Sequence, residues 1–335
     1  MDKNYYNNLT VSSSPHLVTT LDTQKTMLMV LIALVPSFIM SIVVFGARSI
    51  ALTAVCAISA VFFEWAYNKL MKKPDTVKDL SACVTGVILA MNLPSSFPFW
   101  MAIIGTFVSI VIVKCMFGGL GRNIANPAIV GRIVLLLSFT TQMTTWPVTR
   151  MDNTDATTGA TALGILSEVA KGKQDVSTLP DNLSLFLGTC GGSMGEVSAI
   201  AILIGGAFLI WKKIISPIIP VSFIATVFVF SLIYYAIVGG DYNAFNMAIF
   251  HVCAGGVMFG AFFCATDYVT SPIMSKGKLI FGIGCGVVTM VIRIWCSYPE
   301  GVSFAILFMN MLTPLIDSKV IRNYYCKGGA KKDEK

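Results

Sequence analysis

The residues best placed to do chemistry lie in the heptapeptide Asp155-Ala156-Thr157-Thr158-Gly159-Ala160-Thr161. The chemistry they offer is that of a hydroxyl. Gly159 and Ala160 leave the Thr161 hydroxyl with little side-chain cover, and Asp155 supplies a carboxylate upstream. Thr154, Thr157 and Thr158 add further hydroxyls. A plain connector between helices needs no such cluster, because a short turn would serve. The bland alternative is a flexible Thr-rich loop. A second set of groups, Glu64, Asp267 and Arg293, lies in or beside apolar stretches. Ionisable groups there are costly and often belong to an ion path, although Asp267 would equally cap a broken helix or hold a ligand.

These groups sit in a chain built for a bilayer. Of its 335 residues, 55% are hydrophobic and 12% charged, and the mean hydropathy is +0.76. A soluble domain carries about twice that charged fraction. The composition points to one integral membrane domain rather than several soluble ones. The formal net charge of +7 does not signal nucleic acid, since no DNA- or RNA-binding motif accompanies it. Much of the Lys and Arg lies in short loops and the C-terminal tail, which fits the positive-inside bias. The nine cysteines form no Cys-x-x-Cys and lie mostly in apolar runs, where Cys behaves as a small hydrophobe. That speaks against an iron–sulfur cluster or a disulfide framework within this chain. No metal site and no catalytic residue acting alone are expected.

Residues 1–25 are polar, contain Ser14-Pro15-His16, and lack the basic start and cleavage site of a secretory signal. Apolar runs follow at 27–45 and 50–67, each near the roughly 20 residues that cross a bilayer. Lys72 and Lys73 place the end of the second run, and hence the N-terminus, in the cytoplasm. Glu64, near that end, either reaches the interface or belongs to an ion path. The run 82–93 is short and stops at Asn92-Leu93-Pro94. Broken segments of this kind occur where backbone lines a site rather than lipid. After the run 99–116 comes a glycine-dense stretch, 117–128, which holds Arg122, Asn123 and Asn126. It lacks the βαβ setting of a dinucleotide fingerprint and the ending of a P-loop. Its glycines allow close backbone approach, and Asn126-Pro127 opens the next helix.

The run 129–139 leads outward to the longest polar interval, about forty residues by hydropathy. Beyond it, runs at 198–211, 214–238, 247–264, 279–294 and 304–316 are expected to span, with a second break at 265–272 around Asp267. Glu196 is expected to cap the helix that starts at Ser198. The architecture expected is an all-α integral membrane protein of about ten transmembrane helices with broken segments. With an odd number of spans before the polar interval, the halves form two inverted repeats around a central site. Gly86-Val87-Ile88-Leu89 before the first break is echoed by Gly256-Val257-Met258-Phe259 before the second. The expected divisions are a cytoplasmic segment at 1–25, a first membrane repeat at 26–143, an extracytoplasmic loop at 144–183, a second repeat at 184–317 and a cytoplasmic basic tail at 318–335.

Asp155-x-x-Thr158-Gly159-Ala160-Thr161 resembles the flavinylation signal of a membrane flavoprotein family. That family contains the D subunit of the Rnf electron-transport complex and the B subunit of the sodium-pumping NADH:quinone reductase. The likeness covers most of the chain. It includes Ser14-Pro15-His16, Gly118-Gly119-Leu120-Gly121-x-Asn123, Asn126-Pro127-Ala128 with Gly131-Arg132, and Gly192-x-x-Gly195-Glu196-x-Ser198. It continues through Gly260-Ala261-Phe262-Phe263-x-Ala265-Thr266-Asp267-x-Val269-Thr270-Ser271-Pro272 to Pro314-Leu315-Ile316-Asp317. Cys264 and Tyr268 stand where Met and Pro are common, a departure that bears on local packing and not on Thr161.

The resemblance implies a urea-transporter-like fold and FMN carried by Thr161 through a phosphoester on the extracytoplasmic side. It also implies a dedicated, metal-dependent flavin transferase and a second, non-covalent flavin such as riboflavin. Arg122, Asn123, Asn126, Asp267 and Glu64 are then open to that second flavin or to an ion path. The implied role is an electron-carrying subunit of a prokaryotic plasma-membrane complex, a ferredoxin:NAD⁺ oxidoreductase coupled to Na⁺ or H⁺ movement. NAD chemistry falls to a partner in that complex. The quinone-reductase B subunit is the rival within the family, and the short segment before the first helix favours the Rnf reading. A small-solute channel or a structural scaffold is the rival outside it, and neither has a use for a flavinylated threonine.

Overall fold

The computed structural model describes residues 22–74, 76–149, 158–170, 178–188, 191–238, 243–296 and 300–329. In chain order, α1 (Thr23–Phe45) and α2 (Ala47–Leu70) are joined through Gly46 alone, whose φ of 79° suits glycine. Then come α3 (Ser81–Met91), α4 (Phe99–Phe107, continuing as a π-helix over Val108–Cys115) and α5 (Pro127–Ser138). The expected polar loop has structure of its own. It holds α6 (Thr140–Thr144), a ribbon that pairs β1 (Trp146–Pro147) with β2 (Thr158–Gly159), α7 (Ala162–Ala170) and α8 (Asn182–Leu187). The rest is α9 (Ala199–Trp211), α10 (Ile218–Val238), α11 (Ala244–Cys253), α12 (Val257–Phe259, continuing as a π-helix over Gly260–Cys264), α13 (Ser275–Trp295) and α14 (Val302–Gly329).

Five of these helices, α1, α2, α10, α13 and α14, are long and apolar enough to cross a membrane, and α11 with α12 makes a sixth if the bent pair is one span. The chain is a multi-pass, all-α membrane protein. The remaining apolar helices, α3, α4 with its π-helical extension, α5 and α9, are 10–17 residues long. Seventeen residues rise only about 26 Å, short of roughly 30 Å of hydrocarbon. The run 247–264, expected to be one span, is bent by 57° between α11 and α12. The bend falls at Ala254-Gly255-Gly256, where both glycines have positive φ, 67° and 69°. The last helix, expected to end near residue 316, continues through Pro314 to Gly329. Glu196 does not cap α9; Ser198 does, its hydroxyl accepting from the Ala201 N–H at 3.4 Å. Ser198 is the residue immediately before the helix, where a short hydroxyl reaches the free N–H groups best.

One apolar core runs through both halves, with Leu34, Leu89, Ile129, Phe223, Phe259 and Phe281 within it. Across this core α1 packs on α9, α2 on α3, and α10 on both α11 and α13. Gly205 of α9 lies so close to the Ala33 carbonyl of α1 that a side chain there would collide with it.

The two breaks meet inside this core. Asn126 caps α5 through its side-chain oxygen, accepting from the Ala128 N–H at 3.0 Å, and donates from Nδ2 to the Cys264 carbonyl at 3.0 Å. Asn92 donates to the Ile88 carbonyl at 2.8 Å and lies 4.0 Å from Cys264 Sγ. The loop before α9 seals the end of α3, since the Met194 and Gly195 N–H groups donate to the Leu93 and Met91 carbonyls. Arg293 of α13 donates to the carbonyls of His251, Ala254 and Gly255, closing the end of α11. Arg132 of α5 donates to Ser303 Oγ at 2.7 Å and pairs with Glu300, whose side chain is 15% exposed.

The Arg132–Glu300 pair should therefore hold the junction. Arg132→Met leaves a largely buried carboxylate without its guanidinium, a change expected to cost about 3–5 kcal/mol. Adding Glu300→Gln should recover part of that loss, because the stranded charge is gone. Thermal unfolding in detergent reads both. A single variant that melts with the native protein would show that the pair carries no structural weight.

Candidate functional site

Thr161 is positioned from below by α7. Ala162, Leu163 and Leu166 of α7, with Leu185 of α8, pack on Tyr235 of α10, on Met247 and Phe250 of α11, and on Ala254 just beyond α11. This apolar seat fixes the first turn of α7, and Thr161 precedes it. The Thr161 hydroxyl oxygen accepts from the Gly164 N–H at 3.1 Å, the bond of an N-cap. Thr161 is half-buried, while Gly159 and Ala160 are exposed. Thr158 belongs to β2, and Asp155 lies outside the described residues. Beside Thr161 is a gap of about 30 Å³, lined also by Gly192, Glu196, Gly255 and Glu300. Such a volume is the size of one water, so the gap is no ligand pocket. The heptapeptide's end thus rests against the break between α11 and α12. The Glu196 carboxylate packs on Gly256 there. Burial pushes the Glu300 carboxyl above its ordinary range, and Arg132 beside it pulls it back.

A larger cavity of about 400 Å³ lies on the other side of the junction, within the size range of small-molecule sites. Three of the residues singled out in the sequence, Asn123, Asn126 and Asp267, line it together with Lys114 and Tyr268. Asn123 Oδ1 is buried and has no hydrogen-bond partner among the described residues. Asp267 accepts from the Thr270 hydroxyl at 3.1 Å. The Tyr268 hydroxyl donates to the Ile214 carbonyl, so this departure from the family pattern ties the second break to the turn between α9 and α10. Arg122 is exposed and does not reach the cavity wall.

Glu64 stands behind that wall. It is 3% exposed. Its Oε1 accepts from Lys114 Nζ at 2.9 Å and from the Thr76 hydroxyl at 2.9 Å, while Oε2 has no hydrogen-bond partner among the described residues. Lys114, 1% exposed, also donates to Ser81 Oγ at 2.7 Å. Motif and hydropathy patterns do not single out Lys114. Its signal is a lysine inside an apolar run, which a buried acid on a neighbouring helix would have to match. The π-helical turns that carry it are a distortion common at functional sites.

Comparison with known proteins supports the same reading of the chain. A family model described as the NQR2, RnfD, RnfE family matches residues 10–325. The chain is 46% identical over 330 residues, 98% of each sequence, to the D subunit of the Na⁺-translocating ferredoxin:NAD⁺ oxidoreductase complex of Acetobacterium woodii. It is 42% identical over 320 residues to the D subunit of the proton-translocating ferredoxin:NAD⁺ oxidoreductase complex of Clostridium ljungdahlii, covering 93% of this chain and 94% of that one. The D subunit of an ion-translocating oxidoreductase complex of Stutzerimonas stutzeri is 39% identical over 318 residues, 88% of this chain and 89% of the other. With the match spanning nearly its whole length, the chain belongs to the NQR2, RnfD, RnfE family.

Proposed function

We propose that this chain is the membrane-embedded D subunit of an Rnf-type ferredoxin:NAD⁺ oxidoreductase complex that moves Na⁺ or H⁺, the two cations named for its relatives. The observation that carries this is the 46% identity over 98% of both chains. The protein works with the other members of that complex and does not turn over alone. Its own contribution is an electron relay through FMN joined to Thr161 by a phosphoester, made by a flavin transferase. The residues fit such a group. The Thr161 hydroxyl is at the surface end of an ordered turn, Gly159 and Ala160 leave it uncovered, and the N–H groups opening α7 favour an attached phosphate. Asp155, Thr158, Gly159 and Ala160 complete the recognition sequence. The flavin supplies the redox chemistry, and the chain supplies placement and electrostatics.

The cavity beside Asn123, Asn126 and Asp267 is assigned to a second, non-covalent flavin such as riboflavin. Its volume, the unmatched Asn123 oxygen and the buried lysine support this. Asp267 and Glu64 are also the acids available to an ion path. For the fold we propose that the short helices cross the bilayer together with the breaks, giving about ten crossings in two inverted repeats of urea-transporter-like form. The repeats are 26–143 and 184–317, the flavin loop 144–183 faces outside, and both termini are cytoplasmic.

Three measurements test this reading. Thr161→Ala removes the oxygen that would form the ester. The denatured chain should then lose flavin fluorescence in a gel, Thr161→Ser should retain part of it, and ferredoxin-to-NAD⁺ turnover of the assembled complex should fall to background. Covalent FMN persisting in Thr161→Ala would overturn the attachment site, and normal turnover without it would overturn the relay. Single cysteines at Lys73, Lys213 and Lys276 should label only after permeabilisation, and one at Asp152 without it; the opposite pattern reverses the topology. Asp267→Asn should lower ion-coupled turnover with FMN still attached. An unchanged ion gradient in vesicles takes Asp267 out of the path.

A further inference from the structure

We propose that Lys114 is the charged hydrogen-bond donor of the 400 Å³ cavity, binding an acceptor atom on the flavin ring and raising that flavin's potential. This rests on the assignment of a non-covalent flavin to the cavity and says which residue governs it.

Lys114 is buried to 1% exposure in the π-helical turns after α4, yet it lines the cavity. Its ammonium has three N–H donors and no acceptor. Two are used, toward Glu64 Oε1 at 2.9 Å and Ser81 Oγ at 2.7 Å. The third has no partner among the described residues, and both Lys114 and the Ser81 that Nζ bonds belong to the cavity wall. Glu64 is not part of the cavity wall. Of the ion pair, only the lysine belongs to the cavity wall. Ser81 also lines the cavity, and its hydroxyl oxygen accepts from Lys114.

A flavin ring suits such a donor. The pyrimidine edge of the isoalloxazine carries carbonyl oxygens and an imine nitrogen, all acceptors, and gains negative charge on reduction. A fixed cation beside it stabilises the reduced ring more than the oxidised one. In a site shielded from water that preference is strong. The arrangement also rejects ligands lacking an acceptor at that edge, because the desolvated ammonium would then go unmatched.

The test uses the full chain in detergent, in the Thr161→Ala background so that no covalent flavin contributes. Bound flavin is washed out, riboflavin is titrated in, and quenching of its fluorescence gives the Kd. Spectroelectrochemistry gives the midpoint potential of the bound riboflavin. Lys114→Met alone strands Glu64, so the informative variant is Lys114→Met with Glu64→Gln, checked for a native-like melt. It should bind riboflavin about tenfold more weakly or worse, the size of one charge-assisted hydrogen bond, and lower the potential. Glu64→Gln alone strands the Lys114 ammonium in turn, so it too is checked for a native-like melt; in the folded variant binding should hold and the potential should rise. Lys114→Arg should restore much of both. A folded double variant with native Kd and potential would make Lys114 a counter-ion of Glu64 and nothing more. Equal loss of binding in the double variant and in Glu64→Gln, with no change of potential, would reduce it to packing. A native chain that takes up no riboflavin sinks the cavity assignment itself, and this inference with it.

Discussion

Backbone groups freed where a helix breaks have no water to turn to inside a bilayer, and each one left unmatched costs several kcal/mol. The rest of this structure follows from how the two breaks meet that demand. They are placed back to back, and side chains from other helices serve both. Asn126 opens α5 with one end of its amide and holds the Cys264 carbonyl with the other. Asn310, its amide turned to satisfy both neighbours, accepts from the Asn126 N–H and donates to the Thr270 carbonyl. Arg293 gathers three carbonyls at the end of α11. A polar centre assembled in this way cannot be filled as tightly as an apolar one, and the cavity lies against it.

Much of this is legible in the sequence because apolar runs are long and charges few. Runs of about twenty residues mark the long helices, and the bulk of each predicted run is helical here. What escapes does so for physical reasons. The bend at Ala254-Gly255-Gly256 is hidden within an unbroken apolar run, although paired glycines before a helix are a signal. Lys114 is hidden the same way, its charge cancelled by an acid fifty positions earlier that no local window contains. The order in the polar loop is partly visible in Leu163, Leu166 and Val169, spaced for one helical face. The high count of threonines nearby draws attention away from it. Sequence proximity assigns Glu196 to the nearest helix start, but tertiary placement packs its carboxylate on Gly256, sixty residues on, without a capping bond there. Proximity along the chain is a poor guide where loops fold back across a broken helix.

Thr161 and the cavity are two ends of one short object. Val257 to Cys264 begins beside Glu196 and Gly256, at the gap next to Thr161, and ends at the Cys264 carbonyl held by Asn126. Eight helical residues measure about 12 Å. The aromatic rings of Phe259 and Phe263 lie along it, centroids 5.3 Å apart. Two regions that look unrelated in sequence are thus separated by little more than two helical turns: Cys253 to Gly255, just before the segment, line the gap, and Phe262 and Phe263, near its end, line the cavity.

The length of α14 has a separate consequence. Its 28 residues measure about 42 Å along the axis, where the hydrocarbon takes up roughly 30 Å. A rod that long either leans within the bilayer or, upright, extends on the order of 10 Å past the lipid tails. Lys319 and Arg322 sit exposed on the turns beyond Pro314. The charged turns that carry them are thus one rigid piece with the buried part of the helix, and removing a turn would shorten that piece by about 5 Å.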